Sequence, residues 1–153
     1  MRQKKWAVLA AIVASLSVAG CTTSSVDKTE TTAIMPKDVS ETDLYQGKAH
    51  FLQANYGLAE QHFRKAVELR ADNAEAWMGL AASYDQLRRF DFADRAYEQL
   101  LKVAGRRPEI VSNMGYSQYL RGNKKKARQL LLEAKKSVTD TTVVDANLAL
   151  LNS

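Results

Sequence analysis

From Ser40 onward the chain repeats its pattern every 34 residues, and this period restricts the possible folds more than any other sequence feature. Two small residues and one large apolar residue recur at fixed positions of each unit: Gly47, Ala81, Gly115 and Ala149; Ala59, Ala93 and Ala127; Phe63, Tyr97 and Leu131. A supersecondary unit of this length cannot bury its apolar face alone, so neighbouring units must stack. The sequence therefore predicts a stacked repeat array.

Each unit contains two runs in which apolar residues follow at steps of three and four. In the second unit the first run is Trp77, Leu80, Ala81 and Tyr84, and the second lies between residues 93 and 101. That spacing is typical of an α-helix with one apolar face. The small residues would let the paired helices approach closely. We therefore predict an all-α fold built of helix–turn–helix units.

These positions resemble the consensus of the tetratricopeptide repeat. The second unit matches it most fully, with Trp77, Leu80, Ala81, Tyr84, Phe90, Ala93 and Tyr97. The resemblance implies a solenoid over residues 40–153, with repeats at 40–73, 74–107 and 108–141 and a C-terminal capping helix at 142–151. We expect Thr142 and Asp145 to cap that last helix at its N-terminus. Val144, Leu148 and Leu151 are expected to cover the open end of the third repeat.

Residues 1–20 have the layout of a bacterial signal peptide. A positive segment with Arg2, Lys4 and Lys5 precedes an apolar run that is too short for a comfortable membrane span. The small residues before Cys21 resemble a lipobox, which implies cleavage there and a covalent lipid on the Cys21 thiol. The alternatives are an N-terminal membrane anchor with an incidental cysteine and a secreted protein without lipid.

The segment after the cysteine is rich in Ser and Thr and has no apolar period. Such a segment cannot bury enough surface to fold, so residues 21–39 are predicted to be a flexible, lipidated tether. The residue after the cysteine is Thr22. In this respect the chain resembles lipoproteins of enteric bacteria that are sorted to the outer membrane, in which a residue other than aspartate follows the lipidated cysteine. The expected location is therefore the periplasmic face of the outer membrane.

Two further runs resemble the TadD-type lipoproteins of tight-adherence (Flp) pilus systems. They are Asn-Met-Gly-Tyr-Ser-Gln-Tyr-Leu-Arg-Gly at 113–122 and Ala-Asn-Leu-Ala-Leu-Leu at 146–151. The resemblance implies a periplasmic adaptor whose protein partners are secretin or pilus-assembly components. The alternative is a scaffold for cell-envelope maintenance, acting in peptidoglycan or outer-membrane biogenesis.

The first helices of the repeats would line a concave groove that suits a peptide. The candidate groove residues are Tyr45, Lys48, Phe51, Asp85, Gln86, Asn113, Tyr116, Tyr119 and Asn147. An equally good interpretation is that Phe51 and Tyr119 pack between repeats.

A second candidate surface is a basic patch on the third repeat, formed by Arg121, Lys124, Lys125, Lys126 and Arg128. It is either an ordinary solvated face or a dock for anionic lipid headgroups or an acidic partner. Nucleic acid is not an expected partner. Of the 22 basic residues three lie in residues 1–20, and the rest of the chain has a net charge of only +2 against its 17 acidic residues.

The sequence contains no pattern typical of catalysis. It has no glycine-rich phosphate loop, and its single cysteine lacks the companions of a metal site. His50 falls at an inward position and is predicted to be a packed core residue, whereas His62 is predicted to face solvent. We therefore expect no enzyme activity, no metal and no cofactor other than the lipid on Cys21.

Overall fold

The computed structural model describes residues 38–152, which form seven α-helices and a short 3-10 helix at Leu150–Asn152. The α-helices are α1 Glu41–Leu52, α2 Tyr56–Leu69, α3 Ala74–Gln86, α4 Phe90–Ala104, α5 Pro108–Leu120, α6 Lys124–Lys135 and α7 Thr142–Ala149. No strand occurs among these residues. The prediction of an all-α chain of three helix pairs and a terminal helix is confirmed.

The turn inside each helix pair is built the same way three times. Ala54, Arg88 and Gly122, each 34 residues apart, have positive φ angles of 59°, 60° and 82°. One residue later, the backbone N–H of Asn55, Arg89 or Asn123 donates at 2.9 Å to a carbonyl five residues back. This left-handed closure is a common end for a helix, and it reverses the chain within three residues.

The repeated small and large residues form the contacts inside each pair. Ala59, Ala93 and Ala127 are all fully buried. In the third pair, a Cβ added to Gly115 would lie 2.8 Å from Leu131 Cγ, and in the first pair a Cβ on Gly47 would lie 2.8 Å from Phe63 Cδ1. The small position is therefore a requirement of close helix packing.

The last helix covers the third pair as predicted. Val144 and Leu151 are buried in one apolar cluster with Leu131, and Leu148 packs against it. The predicted cap at Thr142 is wrong: Thr142 is the first helical residue, and Asp140 Oδ1 accepts from its backbone N–H at 2.9 Å. Ala149 is exposed, and within residues 38–152 no second helix packs against it.

The first helix pair contains a buried polar cluster where other pairs place apolar residues. Asp43 is 6% exposed. It accepts a hydrogen bond from His62 Nδ1 at 2.9 Å and forms an ion pair with Lys65 at 3.1 Å. Burial alone would raise the pKa of Asp43, but these partners outweigh it and lower the pKa. His62 stacks on the partly buried His50 with ring centroids 5.4 Å apart, so its predicted place in solvent is wrong.

Candidate functional site

The first helices of successive pairs lie beside one another and present a shared surface. Between α1 and α3 this surface holds an open cavity of about 270 Å³, which we call the Phe63 pocket. Its lining is almost entirely apolar and consists of Lys48, Phe51, Leu52, Phe63, Glu75, Met78, Gly79 and Ala82. Pockets for whole small ligands are typically about 300–1,000 Å³, so this one suits a single anchoring side chain.

The floor of the pocket is the ring of Phe63, which reaches up from α2 between two glycines. A Cβ on Gly79 of α3 would lie 2.4 Å from Phe63 Cζ, and one on Gly47 of α1 would lie 2.9 Å from Cε1. Real Cβ atoms do not approach other atoms so closely, so the ring occupies this position only because both residues lack a side chain. The pair of glycines thus keeps the pocket open and joins the first two repeats.

The rim of the Phe63 pocket combines one ion pair with an unusually exposed leucine. Lys48 Nζ and Glu75 Oε1 are 2.6 Å apart, and both side chains are more than half exposed. Leu52 is 87% exposed at the end of α1. Because the two rim charges neutralise each other, the pocket favours an apolar ligand group.

Of the predicted groove residues, Lys48 and Phe51 line the pocket, and Tyr45 lies exposed on the same helix. Further along, Tyr116 and Tyr119 are partly exposed neighbours with ring centroids 5.9 Å apart. Asn113 Nδ2 lies 2.9 Å from Met78 Sδ, which ties α5 to α3. Gln86 and Asn147 are partly buried, and their role in binding stays a prediction.

Asp85 is not a groove residue, because it is 2% exposed and fully occupied by neighbours. Its Oδ2 accepts from Tyr97 Oη at 3.0 Å, and its Oδ1 accepts from Ser117 Oγ at 2.7 Å. Burial raises the pKa of Asp85, and the hydrogen bonds from Ser117 and Tyr97 only partly oppose this. The carboxylate therefore joins the second and third repeats instead of contacting a ligand.

Arg121 likewise does not belong to the surface of the predicted basic patch. Its side chain is only 15% exposed and donates two hydrogen bonds, of 2.8 and 2.6 Å, to the carboxylate of Asp94. The guanidinium also lies 4.9 Å from the ring centroid of Phe90. This arginine therefore clamps α5 to α4 and offers little free charge to a partner.

The remaining patch residues stay at the surface. Lys124, Lys125 and Lys126 are exposed in the first turn of α6, and Arg128 donates to Asn152 Oδ1 at 3.0 Å. The three lysines line an open cavity of about 650 Å³ with Gly122, Asn123 and Gln129.

Several pocket residues were not predicted from the sequence, notably Leu52, Met78, Gly79 and Ala82. Gly79 carried a usable signal, because it stands in the middle of a helix and outside the 34-residue series of small residues. A helical glycine without a repeat role often marks a close approach by another group. Leu52 carried no such signal, since its exposure depends on how α1 ends.

Cys21 and the predicted signal peptide lie outside the described residues, as does the tether except for its last two positions. Within residues 38–152, no three His, Cys, Asp or Glu side chains are grouped so that they could hold a metal ion. Nor is any helix in that range long and apolar enough to cross a membrane.

The comparisons with known proteins agree with this geometry. The tetratricopeptide repeat family model matches residues 46–73 and 74–106. A solved structure of PilF from Pseudomonas aeruginosa is 26% identical with a TM-score of 0.61, covering 74% of this chain and 52% of that one. The fold is a tetratricopeptide repeat solenoid. The TPR domain of Arabidopsis OM64 has the same fold, with 17% identity, a TM-score of 0.63 and coverage of 73% and 93%.

One curated relative also matches part of the chain. It is the cytochrome c-type biogenesis protein CycH of Pseudomonas aeruginosa, 32% identical over 82 residues, which are 52% of this chain and 20% of CycH. This chain therefore spans about a fifth of CycH and about half of the PilF chain. Tetratricopeptide repeats generally act as scaffolds for protein–protein interaction, and the shared features belong to that scaffold.

Proposed function

We propose that the protein is a non-enzymatic, lipid-anchored adaptor that holds a segment of a partner protein in the groove of its first helices. Its site of action would be the periplasmic face of the outer membrane, where it would help a pilus or secretion system to assemble. The observation that carries the binding role is the Phe63 pocket. It is an apolar, open cavity whose rim charges are already paired.

The mode of binding follows from the lining. An apolar side chain of the partner would enter between Phe51 and Met78 and rest on the ring of Phe63. The exposed Leu52 would be covered by the same segment, and burying such a side chain contributes about 1.5–3 kcal/mol. Tyr116 and the accessible part of Tyr119, which also packs against the apolar cluster of the third repeat, would extend the contact along the groove, because aromatic residues are frequent anchors at interfaces.

Support for the assembly role comes from the similarity to PilF and from the TadD-like runs at 113–122 and 146–151. The partners would then be a secretin or another pilus-assembly component, and the lipid on Cys21 would hold the adaptor at the membrane. The similarity to CycH supports a second candidate, an adaptor in the biogenesis of another envelope complex.

Site-specific photo-crosslinking in the source bacterium tests the proposal. A benzoylphenylalanine at Leu52 should crosslink to a pilus or secretion component that mass spectrometry identifies. The matched control is the same residue at Leu69, which is 45% exposed on α2 and outside the pocket. Crosslinking from Leu69 but not from Leu52 would refute the groove. An adduct of Leu52 with a cytochrome biogenesis or peptidoglycan protein would refute the pilus role and leave the groove intact.

A further inference from the structure

Three consecutive lysines, Lys124, Lys125 and Lys126, occupy the first turn of α6. Within residues 38–152, no ion pair or side-chain hydrogen bond involves any of their ammonium groups, whereas Lys48, Lys65 and Lys135 all pair with carboxylates. The one acidic residue of α6, Glu133, is held by two hydrogen bonds from Arg106, of 2.8 and 2.9 Å. Apart from the longer-range attraction between Lys126 and Glu133, the charge of this turn is therefore uncompensated.

Fold stability does not explain this placement. The N-terminus of a helix carries a partial positive charge, so cations in the first turn are unfavourable there. Five of the other six helices have an acidic residue in that turn. These residues are Glu41 in α1, Glu75 in α3, Asp91 in α4, Glu109 in α5 and Asp145 in α7. Only α6 has lysines and no acid.

The three lysines point in different directions around the start of α6. Successive residues of an α-helix point about 100° apart, so the three side chains spread over about 200°, and a chain that winds past the helix end can follow them more closely than a plane can. They line a wide-open depression of about 650 Å³ together with Gly122, Asn123 and Gln129. We call this the lysine notch.

We infer that the lysine notch binds an acidic segment of a partner protein, through the carboxylates of its Asp and Glu side chains. A lysine ammonium is a compact point charge on a flexible stem, so it can follow carboxylates along an irregular chain. The notch lies on α6 and shares no residue with the Phe63 pocket, so this inference does not depend on the groove.

Fluorescence anisotropy with the full chain and a labelled ten-residue glutamate peptide tests the inference. Replacing Lys124, Lys125 and Lys126 by Gln should weaken binding at least tenfold. Raising the salt from 50 to 500 mM should weaken wild-type binding strongly, because exposed charges are screened within a few ångströms at high salt. The melting temperature of the variant should stay the same or rise, because the substitution removes cations from a helix N-terminus.

The matched control removes the same amount of charge elsewhere. Lys102, Arg107 and Lys136 are exposed and make no side-chain hydrogen bond or close ion pair within the described residues, so their triple replacement by Gln should leave peptide affinity within twofold. An equal loss in both triple variants would overturn the inference, since net charge alone would then explain binding. So would unchanged binding by the lysine-notch variant. Binding to phosphatidylglycerol vesicles without binding to the peptide would also overturn it, in favour of a lipid ligand.

Discussion

The packing of Phe63 between two glycines makes a sharp prediction about Gly79. Replacing Gly79 with Ala adds one methyl group, whose carbon would lie 2.4 Å from Phe63 Cζ and Cε1. Favourable contact between carbon atoms begins at about 3.5 Å, so the overlap is about 1 Å. The ring is 2% exposed and lies just as tightly against Gly47, so it has little room to move away.

Two effects of opposite sign determine the size of the change. Alanine is favoured over glycine in a helix by about 1 kcal/mol, whereas overpacking a dense core costs about 1–3 kcal/mol. Gly57→Ala on α2 is the matched control, because a Cβ there meets nothing within 4 Å. The helix preference cancels only in part, because Gly57 is the second residue of α2 whereas Gly79 stands in the interior of α3. The free energy of unfolding of Gly79→Ala should therefore be about 1–2 kcal/mol below that of Gly57→Ala.

Urea unfolding followed by circular dichroism measures this difference, and a second substitution tests its cause. Phe63→Leu removes the ring, so the double variant with Gly79→Ala should be more stable than the sum of the single effects by at least about 0.5 kcal/mol. Hydrogen exchange should locate the loss of protection in α1 and α2. If Gly79→Ala matches Gly57→Ala in stability, or if the two substitutions are strictly additive, the ring does not lie against Gly79.

Four further outcomes are expected. Ala54→Gly should stabilise the fold and Gly122→Ala should destabilise it, each by about 1 kcal/mol in urea unfolding, because both positions have positive φ angles; the same sign for both would contradict this. Because the pKa of Asp85 is raised in the folded state, the free energy of unfolding of the wild type should exceed that of Asp85→Asn most below about pH 4. That advantage should shrink as pH rises to 6.5, and an advantage that grows would refute it. Deleting residues 142–152 uncovers Leu131 and removes two buried apolar side chains, so the free energy of unfolding from thermal melting should fall by on the order of 3 kcal/mol. An unchanged melting temperature would refute the capping role. Mass spectrometry should find acyl chains on Cys21, and Cys21→Ser should leave the precursor uncut; cleavage at the same bond in the variant would disprove the lipoprotein assignment.

The buried polar residues mark where prediction from the sequence failed. Asp85 of α3 and Arg121, which directly follows α5, were both assigned to binding surfaces, because charged residues are usually exposed. Their actual environment depends on Tyr97, Ser117 and Asp94, which come from other helices. A pattern within one helix carries no information about such partners. The same reason explains why His62 was assigned to solvent although Asp43 of another helix holds it.

The amino-acid sequence alone was enough to predict the repeat period, the helix pairs, the close approach of paired helices at Gly115 and the cover by Val144 and Leu151. These features depend on periodic spacing, which is a local property of the chain and repeats with each unit. Which surfaces are open could be seen only in the folded chain, because it depends on how neighbouring repeats meet. The Phe63 pocket exists because Gly47 and Gly79, on different helices, bracket one ring. Glu133 of α6 is held by two hydrogen bonds from Arg106 in the loop between α4 and α5, 27 residues earlier in the chain, so it makes no hydrogen bond or close ion pair with the lysine notch.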